Sequence, residues 1–504
     1  MRIAIVAAFL AAFFVQSSLG IESESVTFDE GTAIATAYLA FHNHDLRLIF
    51  ERPPLLGLFI TPALVLTGAP RLPAVIDPSV PAADARFGDA FLHDVGNDTI
   101  RILRVCRYTV LALSLTLGLA LAVWAERLGG SAAALLALAL FAFCPNLLAH
   151  SRIAANDMTC TIFVFLHLFA LDGFARHPSG RRAVVAGITL GLALATKLTA
   201  ALVLPVVAAV LVFPPRPAPG AVASLALVAV ATLGACMGGT FDYAAYLAGF
   251  RGIYHGATAG YLYYLGGDFS PRGWWYYHLY AAAIKTPIPL LVLFAVGIGV
   301  FPGREHDWRR RLIVLGPIVV FIAASCFDTA NIGLRRILPI YPFLILVASQ
   351  AVHVPVRRTA KAVALGVLVL WQAASVLAVT PHHLSYFNEL VGGPTQGIRY
   401  LDDSNIDWGQ DLPSLRRWLD AHPDTPVRLD YFGMGRPATY GIALPAVDED
   451  REICDPEHAV YAVSAHLLVF FEKVARERGA RCSWLGRYRP VDRIGYSIYV
   501  YDFR

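Results

Sequence analysis

A series of apolar runs, most of them close to membrane-spanning length, restricts the fold of this chain more than any other feature. A transmembrane helix needs roughly 20 predominantly apolar residues to cross the hydrocarbon core of a bilayer. Hydrophobic residues make up 57% of the 504 residues and charged residues 15%, whereas soluble domains are about 45–50% apolar and about 25% charged. We therefore predict an α-helical polytopic membrane protein with about 11 spans, at approximately 3–20, 105–125, 131–149, 158–175, 183–197, 198–214, 221–243, 285–302, 311–327, 337–354 and 362–380.

Lysine and arginine residues in the short connections orient these spans. They cluster after alternate spans, so that all clusters lie on one face, which the positive-inside rule assigns to the cytoplasm. The first loop (21–104), the loops around Asp157 and Arg335, the loop 244–284 and the C-terminal region then face outward. The formal net charge of +4 is small and gives no indication of nucleic-acid binding. The clusters are Arg2; Arg176, Arg181 and Arg182; Arg216; Arg304 and Arg309–Arg311; and Arg357, Arg358 and Lys361.

Two parts of the apolar pattern have more than one interpretation. The first run is either retained as a helix or belongs to a signal peptide cleaved near the small residues Ser18 and Gly20. We favour retention, because the run is long and Arg2 is its only basic flanking residue. The two runs on either side of Lys197 are either two short helices or one broken helix.

The composition changes from His382 onward, where polar residues increase and short alternating runs typical of β-strands appear. We predict a membrane-embedded domain over 1–380 and a small extracytoplasmic α/β domain over 381–504. Conditions outside the cytoplasm permit a disulfide between Cys454 and Cys482, and the sequence leaves open whether it forms. The strand-like runs are Val427–Phe432, Ala459–Val463 and Tyr496–Tyr501, and the helix-like segments are Leu412–His422 and Leu467–Arg478.

Carboxylates near membrane depth are costly and are therefore functional candidates. Asp29 and Glu30 precede the apolar segment 33–41, which we predict to be an amphipathic helix lying in the membrane interface. A helix start would also explain both carboxylates, because the helix dipole favours negative charge there. Asp157 opens a predicted span, where helix capping is again the alternative. Arg152 could pair with either acid or bind a phosphate.

Basic residues form the third group on the predicted outer face: Arg52 before a double proline, Lys197 between two apolar runs, and the pair Arg335-Arg336. For Lys197, extension of the side chain to the membrane surface is the alternative to a function. Cations that converge from different loops suit a phosphate group held at the membrane surface.

Aromatic residues are dense between Tyr261 and His278. Trp and Tyr commonly line the membrane interface, but stacked aromatic rings also bind sugars. The candidates for sugar or acceptor contacts are Trp274, Trp275, Tyr276, Tyr277 and His278. No metal-binding pattern stands out, because neither His42 and His44 nor the adjacent pair His382-His383 has the spacing of one helical face.

With these motifs in this order, the chain resembles membrane glycosyltransferases that use polyprenyl-phosphate sugars, the protein O-mannosyltransferase and lipid A aminoarabinose transferase superfamily. It is most similar to the bacterial branch with a C-terminal outer domain. The resemblance extends over nearly the whole chain, although each apolar match alone is weak. The motifs are Asp29-Glu30, Glu51–Leu55, Arg152 with Asp157, Gly191–Lys197, Gly273–Tyr277, Lys285–Pro289, Gly333–Pro342, Ser385–Pro394 and, most specific, Asp403–Leu412.

The resemblance implies a GT-C fold and inverting transfer of a sugar from a polyprenyl-phosphate carrier to a hydroxyl acceptor of unknown class. It assigns Asp29 as the base and Asp157 as a second acid that positions the acceptor or supports the base. A single carboxylate can take the acceptor proton, and cations can stabilise the departing phosphate. The residues that fit stabilisation of the departing phosphate are Arg52, Lys197 and either Arg335 or Arg336. The resemblance also implies that the chain is a multi-pass protein of the inner membrane and that its active site lies on the extracytoplasmic side.

Other implications of the resemblance are weaker. Some relatives bind a divalent metal, for which Glu51, His255 and His278 are possible ligands, but we expect none. In the outer-domain motif, Asp407, Trp408 and Gln410 either shape the acceptor side or dock the domain. Where relatives often have His or Tyr, this chain has Ala33, which leaves the sugar and the acceptor open.

Two other classes of function compete with a glycosyltransferase. A transporter or lipid flippase would place ionisable residues near the bilayer midplane in a repeated fold, whereas these acids lie at span ends and no repeat is evident. A catalytically inactive relative would act through binding of its outer domain to partners in the cell envelope.

Overall fold

The computed structural model describes residues 2–49, 52–255 and 261–504. Helices dominate, and every predicted apolar run overlaps a helix. The helices before residue 381 are α1 (Arg2–Ser23), α2 (Glu30–His42), α3 (Leu55–Leu66), α4 (Ala83–His93), α5 (Thr99–Ala142), α6 (Pro145–Ser151), α7 (Asn156–Arg176), α8 (Gly180–Leu194), α9 (Leu204–Val212), α10 (Pro219–Cys236), α11 (Tyr243–His255), α12 (Tyr277–Lys285), α13 (Ile288–Arg304), α14 (Trp308–Ser325), α15 (Tyr341–Ala348) and α16 (Arg358–Leu377).

The helices that could span a membrane are fewer than the apolar runs. Among the described residues, six helices are long and apolar enough, or up to seven if α12 and α13, bent by 113°, form one span. Helix α5 contains two predicted runs, and its 44 residues would measure about 66 Å if straight, about twice the bilayer core. It breaks at Gly130 (φ 73°, ψ −173°), a conformation that glycine tolerates because it has no Cβ.

Three of the predicted basic segments meet at one end of the helix bundle. Arg310 Nε donates to Asp172 Oδ1 at 3.1 Å, which joins the start of α14 to the end of α7. Arg309 Nη1 donates to the carbonyl oxygen of Pro215 at 3.1 Å. These contacts place the connections around residues 172–182, 214–216 and 304–311 on one face, as the charge pattern predicts.

Helix α2 differs from its predicted form. An amphipathic helix in the membrane interface would expose one face, but residues Glu30 to Ala40 are all buried. The reason is close packing through glycines of the neighbouring helices. A Cβ at Gly57 of α3 would lie 2.3 Å from the carbonyl oxygen of Ala37, and one at Gly88 of α4 would lie 2.7 Å from the backbone nitrogen of Thr32. The prediction of an amphipathic surface helix is therefore wrong.

The C-terminal part contains a four-stranded mixed sheet and short helices, as the sequence predicts. The strand order is β3–β4–β6–β5, with β3 and β4 parallel and the other pairs antiparallel. Strand β5 is too short for its pattern to predict it. A separate hairpin pairs β1 (Tyr263–Leu265) with β2 (Asp268–Ser270). The remaining elements are β3 (Val427–Asp430), β4 (Val460–Ser464), β5 (Asp492–Ile494), β6 (Ile498–Asp502), α17 (Leu412–Ala421), α18 (Glu449–Glu452), α19 (Ala465–Arg478) and α20 (Trp484–Arg487).

The C-terminal part of the chain is hydrogen-bonded to the segment that follows α1. The backbone nitrogen of Ser25 donates to the carbonyl oxygen of Gln410 at 2.7 Å, and that of Phe28 donates to the carbonyl oxygen of Trp408 at 2.9 Å. The Ser25 hydroxyl donates to the carbonyl oxygen of Gly409 at 2.7 Å. Residues just before α2 are thus aligned by the C-terminal part of the chain.

A disulfide joins Cys454 and Cys482, which are separated by 28 residues, so the bond that the sequence left open forms. Closing a loop of this length stabilises a fold by roughly 3 kcal/mol. We expect Cys454→Ser, or added reductant, to lower the apparent midpoint of thermal unfolding measured in detergent. Cys326→Ser, which removes a free thiol, is the control. An unchanged midpoint after complete reduction would contradict the prediction.

Candidate active site

Asp29 lies at the start of α2, but its side chain does not cap the helix. Its carboxylate instead lies between two guanidinium groups. Arg335 Nη1 is 2.7 Å from Asp29 Oδ2, and Arg52 Nη2 is 3.2 Å from Asp29 Oδ1. A helix start therefore does not account for this carboxylate. One of its partners, Arg52, belongs to the first loop, and the other, Arg335, lies 306 positions later in the chain.

Asp157 lies in the first turn of α7, where Ala155 is the N-cap residue and no side chain caps the helix. Lys197 Nζ is 2.6 Å from Asp157 Oδ1. Arg335 Nη1 is 3.4 Å from Asp157 Oδ2, so one guanidinium nitrogen is shared by the two carboxylates. We call Asp29, Arg52, Asp157, Lys197 and Arg335 the ion cluster.

The loops that carry the ion cluster are held together by an asparagine. Asn156 Nδ2 donates to the carbonyl oxygens of Pro53 at 3.0 Å and Thr196 at 2.6 Å. Lys197 itself has an extended backbone (φ −158°, ψ 142°), which separates α8 from the next helical segment. The two runs beside Lys197 are thus separate, and the break presents the ammonium to Asp157.

Electrostatics keep Asp29 in the form that can accept a proton. Burial opposes ionisation, but the guanidinium groups of Arg335 and Arg52 outweigh it and lower the pKa of Asp29. The carboxylate is therefore anionic at neutral pH. The side chains of Asp29, Lys197 and Arg52 are 17%, 21% and 31% exposed, so a ligand can reach them.

A cavity of about 680 Å³ opens beside Arg52, within the usual size range of ligand sites. Arg52 Nη1 is 2.7 Å from Asp84 Oδ2, and both side chains line the cavity. Asp84 was not predicted, because a single carboxylate in a long loop has no distinguishing pattern. The other lining residues are Leu46, Arg47, Ile49, Pro78–Ala83, Ala245, Ala248 and Gly249.

Glu30 lies apart from the ion cluster. Its side chain is fully buried and ion-paired with Arg107, whose Nη2 is 2.7 Å from Glu30 Oε2. Glu30 Oε1 accepts from Arg107 Nε and from the backbone nitrogen of Ala154, each at 2.8 Å. The adjacent carboxylates Asp29 and Glu30 thus have separate environments, and Glu30 joins the first loop to α5.

Two predicted cations also have other partners. Arg336 is ion-paired with Asp328, so of the adjacent arginines only Arg335 joins the ion cluster among the described contacts. Arg152 is fully buried and paired with Glu24, and its Nη1 lies 2.8 Å from His383 Nδ1. The expectation that Arg152 pairs with Asp157 or holds a phosphate is wrong, because its guanidinium is enclosed by these groups.

The aromatic stretch divides into exposed and buried residues. Trp275 and Tyr276 are 65% and 39% exposed, whereas Tyr277 and His278 are buried; Trp274 is intermediate. The hydroxyl of Tyr277 accepts from Asn405 Nδ2 at 2.8 Å. No hydrogen bond or ion pair within the described ranges joins this stretch to the ion cluster.

The motif Asp403–Leu412 forms a buried network, in which Asp407, Trp408 and Gln410 are all buried. Asp407 Oδ2 accepts from the backbone nitrogen of His466 at 3.1 Å, and burial raises the pKa of Asp407 to about 7. Gln410 Nε2 donates to the carbonyl oxygen of Ile406 at 3.0 Å. Trp408 instead reaches the ion cluster, since its ring lies 4.4 Å from Arg335 Cζ.

The sequence offers Glu51, His255 and His278 as possible metal ligands. Glu51 and the side chain of His255 lie outside the described residues. In the part of the chain that the structure describes, no group of three His, Cys, Asp or Glu side chains could hold a metal ion.

Comparison with known proteins gives both sequence and structural matches. Residues 93–237 match the family model described as dolichyl-phosphate-mannose-protein mannosyltransferase. ArnT from Cupriavidus metallidurans in the apo state aligns with a TM-score of 0.51 and 14% identity, over 99% of this chain and 97% of that chain. ArnT from the same organism bound to undecaprenyl phosphate aligns with a TM-score of 0.50 and 16% identity, over the same shares. No curated protein sequence matches significantly.

The chain therefore shares the fold of ArnT nearly from end to end, and the predicted GT-C-type fold is confirmed. It is a multi-pass membrane protein. The matched family model describes a glycosyltransferase, so the resemblance and the enzyme class predicted from the sequence are confirmed as well.

Proposed function

We propose that this glycosyltransferase moves a sugar from a polyprenyl-phosphate carrier to an acceptor hydroxyl, with inversion and with Asp29 as the base. The observation that carries the proposal is the position of Asp29 between Arg335 and Arg52, next to the Asp157–Lys197 pair. Two carboxylates and three cations from separate loops are linked by four ion pairs of 2.6 to 3.4 Å, and Arg335 is shared by both carboxylates.

The proposed reaction is a single displacement. The acceptor oxygen attacks the anomeric carbon, the bond from that carbon to the phosphate oxygen breaks, and the acceptor proton passes to Asp29. Arg52, Lys197 and Arg335 stabilise the charge that develops on the leaving phosphate. Attack on the face opposite the leaving group inverts the anomeric configuration.

Donor binding would also adjust the strength of the base. The pKa of Asp29 is low because Arg335 and Arg52 outweigh the effect of burial. A donor phosphate that shares these two cations would weaken their hold on Asp29 and raise its pKa. Since proton transfer is most efficient when the pKa of the base lies near the working pH, the carboxylate becomes a better base when the donor is present.

The cavity beside Arg52 supports a lipid-linked donor. It joins the cationic side chain of Arg52 to apolar and small residues of α11, Ala245, Ala248 and Gly249. The solved ArnT structure bound to undecaprenyl phosphate supports a donor of the same chemical class here. We assign Arg335 rather than Arg336 to its phosphate, because Arg336 is paired with Asp328.

We place the ion cluster and the outer domain on the extracytoplasmic side of the inner membrane. The Cys454–Cys482 disulfide favours an oxidising compartment, and the segments rich in arginine meet at one end of the bundle, as cytoplasmic loops do.

Mass spectrometry of envelope glycans, lipids and glycoproteins tests the proposal in a deletion strain. We expect one glycosylated product to disappear, and to return with the unmodified gene but not with Asp29→Asn. Movement of a lipid across liposomes without any sugar transfer would contradict the proposal and favour a flippase.

The adjacent arginines provide a matched pair of variants. Arg335→Gln is expected to weaken binding of undecaprenyl phosphate by about 100-fold, because hydrogen bonds to a charged phosphate contribute roughly 1.5–3 kcal/mol each. Arg336→Gln should bind like the unmodified protein. The dissociation constants are measured by native mass spectrometry in detergent. Equal losses in both variants would contradict the assignment of Arg335.

A further inference from the structure

The outer-domain segment Ser404–Trp408 contacts Arg335 through the hydroxyl of Ser404. Ser404 Oγ donates to the carbonyl oxygen of Ile332 at 2.6 Å. A hydroxyl has one proton, so Ser404 Oγ must accept from Arg335 Nε, which lies 3.0 Å away. A Cβ at Gly333 would lie 2.1 Å from Ser404 Oγ. The approach of Ser404 to Arg335 therefore depends on a glycine two residues before this arginine.

The second contact is made by Trp408. Its buried ring lies 4.4 Å from Arg335 Cζ, a distance at which a guanidinium is attracted to an aromatic face. The carbonyl oxygen of Trp408 accepts from the backbone nitrogen of Phe28 at 2.9 Å, and Phe28 precedes Asp29. Trp408 thus contacts Arg335 through its ring and the residue before Asp29 through its backbone.

The segment itself is firmly anchored. Asn405 Oδ1 accepts from the backbone nitrogen of Leu334 at 3.1 Å, one residue before Arg335. The buried ammonium of Lys285 donates to the carbonyl oxygens of Leu384 at 2.9 Å and Tyr386 at 3.0 Å, and also to that of Asn405. The two bonds of Asn405, to Lys285 of α12 and to Leu334, hold the segment that carries Ser404 and Trp408 against α12 and the residue before Arg335.

We propose that Ser404 and Trp408 are positioning residues, by which the outer-domain segment holds the Arg335 guanidinium in place for the donor phosphate. This inference rests on the proposed function. Arg335 Nη1 is shared by Asp29 and Asp157 and has to change partners when a phosphate arrives. Arg335 Nε and the guanidinium plane stay fixed by Ser404 and Trp408 during that change. A planar guanidinium held in one orientation recognises phosphate with geometric selectivity.

Ser404→Ala tests the proposal with undecaprenyl phosphate as the probe and the full-length protein in detergent. We expect the dissociation constant to rise about 10-fold, because the lost bond involves a charged group. Ser385→Ala is the matched control. Ser385 is also buried, and its hydroxyl donates to the carbonyl oxygen of Ile406 at 2.8 Å. Ile406 lies between Ser404 and Trp408, but Ser385 makes no hydrogen bond to Arg335 among the described contacts. The affinity of Ser385→Ala for undecaprenyl phosphate should equal that of the unmodified protein.

Replacement of Trp408 gives an independent series. Trp408→Leu removes the aromatic face and should weaken binding by about 30-fold, whereas Trp408→Phe retains a face and should lose much less. If these residues served only for packing, Ser404→Ala and Ser385→Ala should have the same affinity for undecaprenyl phosphate. Trp408→Phe should then bind no better than Trp408→Leu.

The pH dependence of transfer gives a second readout in membranes of the complemented deletion strain. Asp29 must be deprotonated, so activity falls as the pH drops through its pKa. If Arg335 drifts from Asp29, the pKa of Asp29 rises, and the acidic limb of the profile should move to higher pH in Ser404→Ala but not in Ser385→Ala. Equal affinities and equal profiles for the two serine variants would overturn the inference and leave the proposed function standing. Failure of the unmodified protein to bind undecaprenyl phosphate would overturn both.

Discussion

Asp29→Asn is expected to reduce sugar transfer by about 10²–10⁴-fold, the usual contribution of a general base, while the protein remains folded and inserted. The amide has nearly the same size as the carboxylate but cannot take up the acceptor proton. Arg335 and Arg52, each within 3.2 Å of the Asp29 carboxylate, would lose an anionic partner and remain available to a phosphate. Product formation in the complemented deletion strain measures the loss, and undecaprenyl phosphate binding shows whether the donor site persists.

Asp94→Asn is the matched control for this experiment. Asp94 lies in the same first loop (21–104), but its exposed carboxylate is paired with Arg436 at 2.6 Å, and exposed ion pairs contribute little. Its transfer rate should equal that of the unmodified protein. Full activity in Asp29→Asn, at equal protein level, would refute the assignment of the base.

Glu30→Gln is expected to have the largest effect on stability. The Glu30 and Arg107 side chains are 0% and 1% exposed, so the neutral amide leaves a buried guanidinium without its counter-ion. Breaking a buried ion pair in this way costs about 3–5 kcal/mol. Arg107 also donates to the carbonyl oxygens of Glu24 and Ser25 at 2.8 and 2.7 Å, so the segment before Asp29 should loosen. The apparent midpoint of thermal unfolding in detergent measures the loss.

An exposed ion pair that is also formed by α5, with the end of α1 as its partner, serves as the control. Arg104 Nη2 is 2.8 Å from Glu22 Oε2, and both side chains are about half exposed. Glu22→Gln should cost less than about 1 kcal/mol. The double variant Glu30→Gln with Arg107→Met removes both buried groups and should recover part of the lost stability. Similar midpoints for Glu22→Gln and Glu30→Gln would show that the buried Glu30–Arg107 pair stabilises the protein no more than the exposed pair does.

The members of the ion cluster were predictable because a charge at membrane depth is rare and the matching motifs name the same positions. Asp29, Arg52, Asp157, Lys197 and Arg335 come from separate loops, and the structure brings them together. Their catalytic and binding roles stay predictions. The sequence could not choose between Arg335 and Arg336, because adjacent residues share a motif and only the position of Asp328 separates them.

The buried ion pairs were not predictable. Glu30 and Arg107 are 77 residues apart, and Glu24 and Arg152 are 128 apart. Periodicity reports which face of a helix is apolar, but not which distant charge will neutralise a buried acid. The same limit explains α2: its composition suggested a half-exposed helix, whereas α3 and α4 cover it through contacts that depend on Gly57 and Gly88.

The pairing of Ser25 and Phe28 with Gln410 and Trp408 has a consequence for biosynthesis. The hydrogen-bonded groups of Ser25 and Gly409 are separated by 384 residues. The segment next to Asp29 therefore lacks these hydrogen-bond partners until most of the polypeptide has been translated. During that interval Arg335 also lacks Ser404 and Trp408. A chain that ends before residue 404 would contain every member of the ion cluster but would lack the contacts of Ser404 and Trp408 with Arg335.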